Sequence, residues 1–155
     1  MEFVNIIRSE VISNKYDVLW EDLSSITEGM QPKTVLILVS ECEKDSVEDQ
    51  QLLKMLGACK LTDEQYNIIR LQKDQQIAWH RLREKLEPKI VFLIGVMPVQ
   101  LGISAFFKLN EPNNFGDCTW LPTLSIHELE QFAEVKKQLW ISGMKPLFID
   151  NPLPV

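Results

Sequence analysis

Short unbroken apolar runs alternate along this chain with longer stretches in which apolar residues recur every three or four positions. Residues 35–39, Val-Leu-Ile-Leu-Val, form the first such run, and its β-branched residues mark a strand covered on both faces. "YNIIRL", "KIVFLIG" and "CTWLP" read as three further strands. Between the first two, Ser46 stands at a helix N-cap with Asp49 three residues on, and Leu52, Leu53, Leu56 and Cys59 fall on one helical face. "KDQQIAWHRLREKLEPK" places Ile77, Ala78, Leu82 and Leu86 at helical spacing and stops near Pro88, because the residue before proline is pushed out of α geometry. Pro98 suits the first turn of another helix, expected over residues 99–107. Residues 110–117 are rich in turn formers. Ser125 and Glu128 then form a capping box that opens the last helix, with Leu129, Phe132, Val135 or Lys136, and Leu139 on its buried stripe and Gly143 at its end.

Strands alternating with helices predict an α/β fold: a three-layer α/β/α sandwich around a mostly parallel sheet of about four strands, joined by right-handed crossovers. Residues 31–150 make up this domain. Residues 1–30, with Phe3, Ile6, Ile7 and Val11 and then "YDVLW", read as an N-terminal arm or extra helix, and residues 151–155 as a tail.

Composition narrows the function. The 155 residues carry a net charge of -6, which does not support binding to a nucleic-acid backbone, since that draws on clustered Lys and Arg. No segment approaches the ~20 apolar residues of a membrane span, and the start has no secretion signal, so a cytoplasmic location is expected. Cys42, Cys59 and Cys118 are odd in number and widely spaced, which supports neither a disulfide framework nor a metal site; they read as reduced thiols, with no metal or cofactor expected. The run Glu41, Glu43, Asp45, Glu48 and Asp49 reads as solvated charge near a helix N-terminus.

The order of motifs resembles the uracil-DNA glycosylase superfamily from about Val35 to Leu147. "VLILV" ending in Ser40-Glu41-Cys42-Glu43-Lys44 stands where the family's strand ends in a Gly-Glu-Ala-Pro-Gly loop. "LLKMLGACKLTDEQY" is similar to the helix that follows there. "REKLEPKIVFLIGVMPVQLGI" resembles a helix, a Lys-Pro-Lys strand and a small-residue helix. "WLPTLSIHELEQFAEVKKQLW" is similar to the family's Leu-Pro-Thr-Tyr-His segment and closing helix.

The departures fall on the chemistry. Extruding uracil and cleaving its glycosidic bond needs close backbone approach to DNA, a stacking ring, polar groups on the base edge and stabilisation of the departing anion. Ser40 and Lys44 replace the loop's glycines, Glu43 replaces its proline, and the loop that would carry the stacking ring is cut to "DSVEDQ". The base-reading asparagine falls near Ile69 and the late histidine on Ser125. Under an enzymatic reading, Glu41 polarises water and His127, two positions displaced, assists the leaving group. Ser40, Cys42, Glu43, Lys44 and Ser125 would line the corresponding binding site.

A fold kept without its catalytic groups implies a scaffold for protein contacts. The psi subunits of bacterial DNA polymerase III use this fold in that way, and the leucine-rich first helix, the "LPTLS" segment and the N-terminal arm here resemble theirs. The resemblance implies a role in DNA replication or repair with clamp-loader subunits as partners, the arm docking on them. Trp20 and Trp79 are interface candidates, since tryptophan is enriched at binding hot spots; Trp120 and Trp140 read as core. "KPLFID" reads as a packed terminal segment.

Overall fold

The computed structural model describes residues 26–73 and 75–153. Most of the proposed N-terminal arm, including Trp20, lies outside the described residues. Among those described, the strands are β1 (Val35–Ser40), β2 (Tyr66–Leu71), β3 (Ile90–Ile94), β4 (Asn113–Phe115) and β5 (Cys118–Thr123). They form one five-stranded sheet in the order β2-β1-β3-β5-β4. Every pairing among β1, β2, β3 and β5 is parallel, and only β4 runs antiparallel, on β5. The expected turn-rich loop therefore contains a short strand, so the sheet has five strands instead of about four.

The helices cover both faces of the sheet, as unbroken apolar strands require. On one face α1 (Val47–Ala58), α3 (Ile126–Gln131), α4 (Ala133–Leu139) and a π-helical segment, Trp140–Ile149, enclose the alternate residues Val35, Ile37 and Val39 of β1 and Phe92 and Ile94 of β3. On the other, α2 (Trp79–Leu86) and a 3-10 turn, Pro98–Leu101, cover Leu36, Leu38, Val91, Leu93 and Trp120. Ile26 and Met30 pack partly against this second core, and buried Asn67 donates to the Gln31 carbonyl at 2.8 Å. These contacts tie the chain entering β1 to the α2 face.

Three expected boundaries move. No helix spans residues 99–107: Gly102 takes φ +74 and closes the 3-10 turn, and the chain then runs without regular structure to place Phe107 on Trp120. The helix expected around Ile77 begins only at Trp79, because the Ile77 N–H is held by the Gln100 carbonyl at 2.8 Å. Gly143 does not end the last helix. An ideal Cβ there would lie 2.6 Å from Leu121 Cδ1 and 3.0 Å from the Asn110 carbonyl oxygen, so the glycine lets the π-helical segment press against β5. Leu53, expected on the buried face of α1, is exposed, and so is Phe132, expected on the buried stripe of the last helix, because the helix breaks at that residue between α3 and α4.

Candidate functional site at the strand carboxyl ends

The chain leaves β1 for β2 on one side and returns to β3 on the other, so the carboxyl ends of β1 and β3 flank the point where an open parallel sheet offers a ligand crevice. Ser40 ends β1 there, Gly95 follows β3, and Ser125 follows β5. These three come together. The Ser40 hydroxyl donates to the Gly95 carbonyl at 2.9 Å. An ideal Cβ on Gly95 would lie 2.6 Å from Ser40 Oγ and 2.9 Å from both Cα and Cβ of Ser125. Gly95 also holds φ +72, a conformation that L side chains rarely adopt. Ser40 and Ser125 are buried, so these two hydroxyls face the chain and not solvent.

The remaining candidates are also engaged or turned away. Ser125 is the N-cap of α3: its hydroxyl accepts from the Glu128 N–H at 3.3 Å and donates to Glu128 Oε1 at 3.0 Å, while Oε1 also accepts from the Ser125 N–H. His127 is exposed on α3 and lies 3.2 Å, Nε2 to Nε2, from Gln131 one turn along its own helix. Cys42 points into the α1-side core, and burial first of all, with the nearby Asp49 charge, raises its thiol pKa. Glu43 and Lys44 are exposed. The Glu43 carbonyl accepts from the Ser46 N–H at 3.2 Å and the Ser46 hydroxyl at 2.6 Å, which fixes the loop onto the start of α1. Glu41 is exposed at φ +53, and its N–H bonds to the Leu71 carbonyl at 3.3 Å, extending the β1–β2 ladder by one step.

The strongest electrostatic feature beside this loop is Asp49, which the acidic-run reading treated as solvated. It is 3% exposed and pairs with Arg70 of β2, while its second oxygen accepts from the Asp45 N–H at 3.0 Å. Burial alone would raise its pKa. The Arg70 hydrogen bond, the Asp45 N–H and the Arg70 and Lys44 charges outweigh burial and hold the carboxyl below its usual value. A sequence signal existed: Asp49 precedes Leu52, Leu56 and Cys59 by three, seven and ten residues, which is the buried stripe of α1. The Ser46 N-cap is as expected, its hydroxyl accepting from the Asp49 N–H at 3.2 Å.

The other thiols are also buried. Burial raises the Cys59 pKa to about 12, and burial is the largest cause raising that of Cys118, whose Sγ donates to the Pro88 carbonyl at 3.2 Å. Ile69, where the family's asparagine would fall, is buried in β2 beside Leu38. Trp79 packs edge-on against buried Trp120 with ring centroids 4.6 Å apart, so much of the proposed interface residue is held within the chain. Trp120 is fully buried, Trp140 packs partly into the opposite core, and Phe148 of "KPLFID" is buried.

Among the described residues no group of three His, Cys, Asp or Glu side chains converges as metal ligands, and no helix is long and apolar enough to cross a membrane. No protein-family model matches the chain, and no curated protein is significantly similar to it.

Proposed function

We propose that the chain is a non-catalytic domain of the uracil-DNA glycosylase-like type, acting through protein contacts in DNA replication or repair as a psi-like accessory subunit of a clamp loader. The observation that carries the reading is the contact among Ser40, Gly95 and Ser125. A flipped base needs a pocket, and here the β1 and β3 carboxyl ends are bridged by a buried hydroxyl and a close backbone approach. The sheet order, with its parallel core and switch point between β1 and β3, is compatible with the glycosylase-like specification. The enzymatic alternative rests on Glu41, whose carboxylate is exposed beside this point.

The test of the psi-like specification is co-elution of the purified full chain with reconstituted bacterial clamp-loader subunits on size exclusion. A stable complex is expected. Separate elution of chain and clamp loader at micromolar concentrations would remove that specification.

A further inference from the structure

The two outer strands of the sheet differ in what they present. β4 is three residues long and antiparallel, whereas β2 is six residues long and its register on β1 is unbroken from Tyr66 to Leu71. β2 contains no proline and a single charge, Arg70, so it lacks the shortness, proline and bulge that keep an edge strand from pairing. Two hydrogen bonds show which backbone groups that edge offers. The Val35 N–H donates to the Gln65 carbonyl at 3.0 Å and the Glu41 N–H to the Leu71 carbonyl at 3.3 Å. Odd-numbered residues of β2 therefore turn their backbone groups towards β1, and the strand's period of two turns those of Tyr66, Ile68 and Arg70 outwards. Among the described residues no strand and no backbone hydrogen bond occupies these outward groups.

The edge is complementary to itself. An antiparallel copy related by a two-fold axis at Ile68 sets Ile68 against Ile68 and Tyr66 against Arg70, and each facing pair exchanges two N–H to carbonyl bonds. Every outward group of both strands is then satisfied. The side chains match as well. Tyr66 and Ile68 pack partly against the α1-side core and Arg70 pairs with Asp49 of α1, so all three lie on one face of the sheet. In the pair, Arg70 of each copy stands opposite Tyr66 of the other, whose hydroxyl donates to Asp63 Oδ1 at 2.9 Å. The Arg70 side chain is 29% exposed, and Asp63 is exposed. A guanidinium thus meets an aromatic ring and a carboxylate with no like charge facing it, and this charge complementarity selects a second copy as the occupant.

We propose that β2 is a dimerisation edge: two copies of the chain pair antiparallel through β2 about a two-fold axis at Ile68, joining their sheets into one. The pairing goes beyond the clamp-loader reading and does not depend on it.

The test is sedimentation equilibrium of the full chain, with circular dichroism to check that each variant is folded. The mass is expected to rise from 18.0 kDa towards twice that value over the micromolar range. Ile68→Pro removes an outward N–H that β1 does not use and should raise the dissociation constant at least tenfold. Tyr66→Arg, which sets like charges opposite one another, should do the same. Register is read by a cross-link. Under mild oxidation Ile68→Cys should form a disulfide-linked dimer, because facing Cα atoms in such a pair lie about 5.5 Å apart. Tyr66→Cys, offset along the strand from its own copy, should not, and the native chain with its buried cysteines gives the background. A chain that keeps the monomer mass throughout, a dimer indifferent to Tyr66→Arg and Ile68→Pro, or failure of Ile68→Cys to cross-link above background overturns the proposal. Should Ile68→Pro fail to fold, Tyr66→Arg and the cross-link decide. Cross-linking of Tyr66→Cys as fast as that of Ile68→Cys would overturn it too. So would a monomer whose Ile68 amide is protected from hydrogen exchange and loses that protection in Val18→Pro, by assigning the edge to the chain's own first residues.

Discussion

The strand carboxyl ends and the β3–β5 connection are opposites. The first region is polar in sequence and closed in structure: Ser40, Ser125 and Asp49 are buried, and each has its hydrogen-bond partners within the chain. The second reads as an ordinary helix in sequence and is open, with apolar side chains facing solvent around a groove. Polar residues at the expected place for chemistry here hold loops together, while the stretch that fails to form its helix carries exposed apolar side chains. Where side-chain groups are satisfied locally, they have little left to offer a ligand.

Substitutions separate the two regions by their cost. Gly95→Val should be the most damaging, since its side chain meets Ser40 and the Ser125 backbone at a left-handed φ; a loss of about 3 kcal/mol is expected in urea denaturation. A neutral Gly95→Val would mean that the strand ends are not tightly packed.

Asp49→Ala should cost about 2 kcal/mol, below the ~3–5 kcal/mol of a fully buried pair because the Arg70 side chain is 29% exposed. The Asp49 pKa is lowered in the folded state, so its contribution is complete above the ordinary aspartate value of ~3.9 and is lost as pH falls through the lower folded value. Denaturation followed from pH 6 downwards should therefore show a shallower acid limb in Asp49→Ala.

Ser125→Ala, which removes an N-cap, should cost about 1 kcal/mol. Smallest of all, Val99→Asp should leave stability within about 0.5 kcal/mol, as expected for an exposed side chain with no structural task. If Val99→Asp proved as costly as Ser125→Ala, the openness of the groove region would be in doubt.

Much of the fold was legible because local signals and burial agree. The runs at residues 35–39 and 90–94 are buried on both faces, and Ser46 and Ser125 cap helices as their sequences indicate. The legible part stops where tertiary contact overrides pattern. Residues 102–107 leave the helical path after left-handed Gly102, and the aromatic cluster around Trp120 takes Phe107; Gly143 serves packing against β5 instead of termination. At the candidate site the sequence located Ser40, Glu41 and Ser125 on the right strand ends. It gave no indication that Gly95 would draw Ser40 and Ser125 into contact, because that depends on strand order. Nor did it pair Asp49 of α1 with Arg70, 21 residues on in β2.

The claim that the strand ends form a closed scaffold, and not a base-excision site, is tested most directly by incubating the full chain with a uracil-containing single-stranded oligonucleotide and treating the product with alkali. The account predicts no strand scission above the buffer control. Scission by the native chain that disappears in Glu41→Gln would contradict it and establish Glu41 as a catalytic residue.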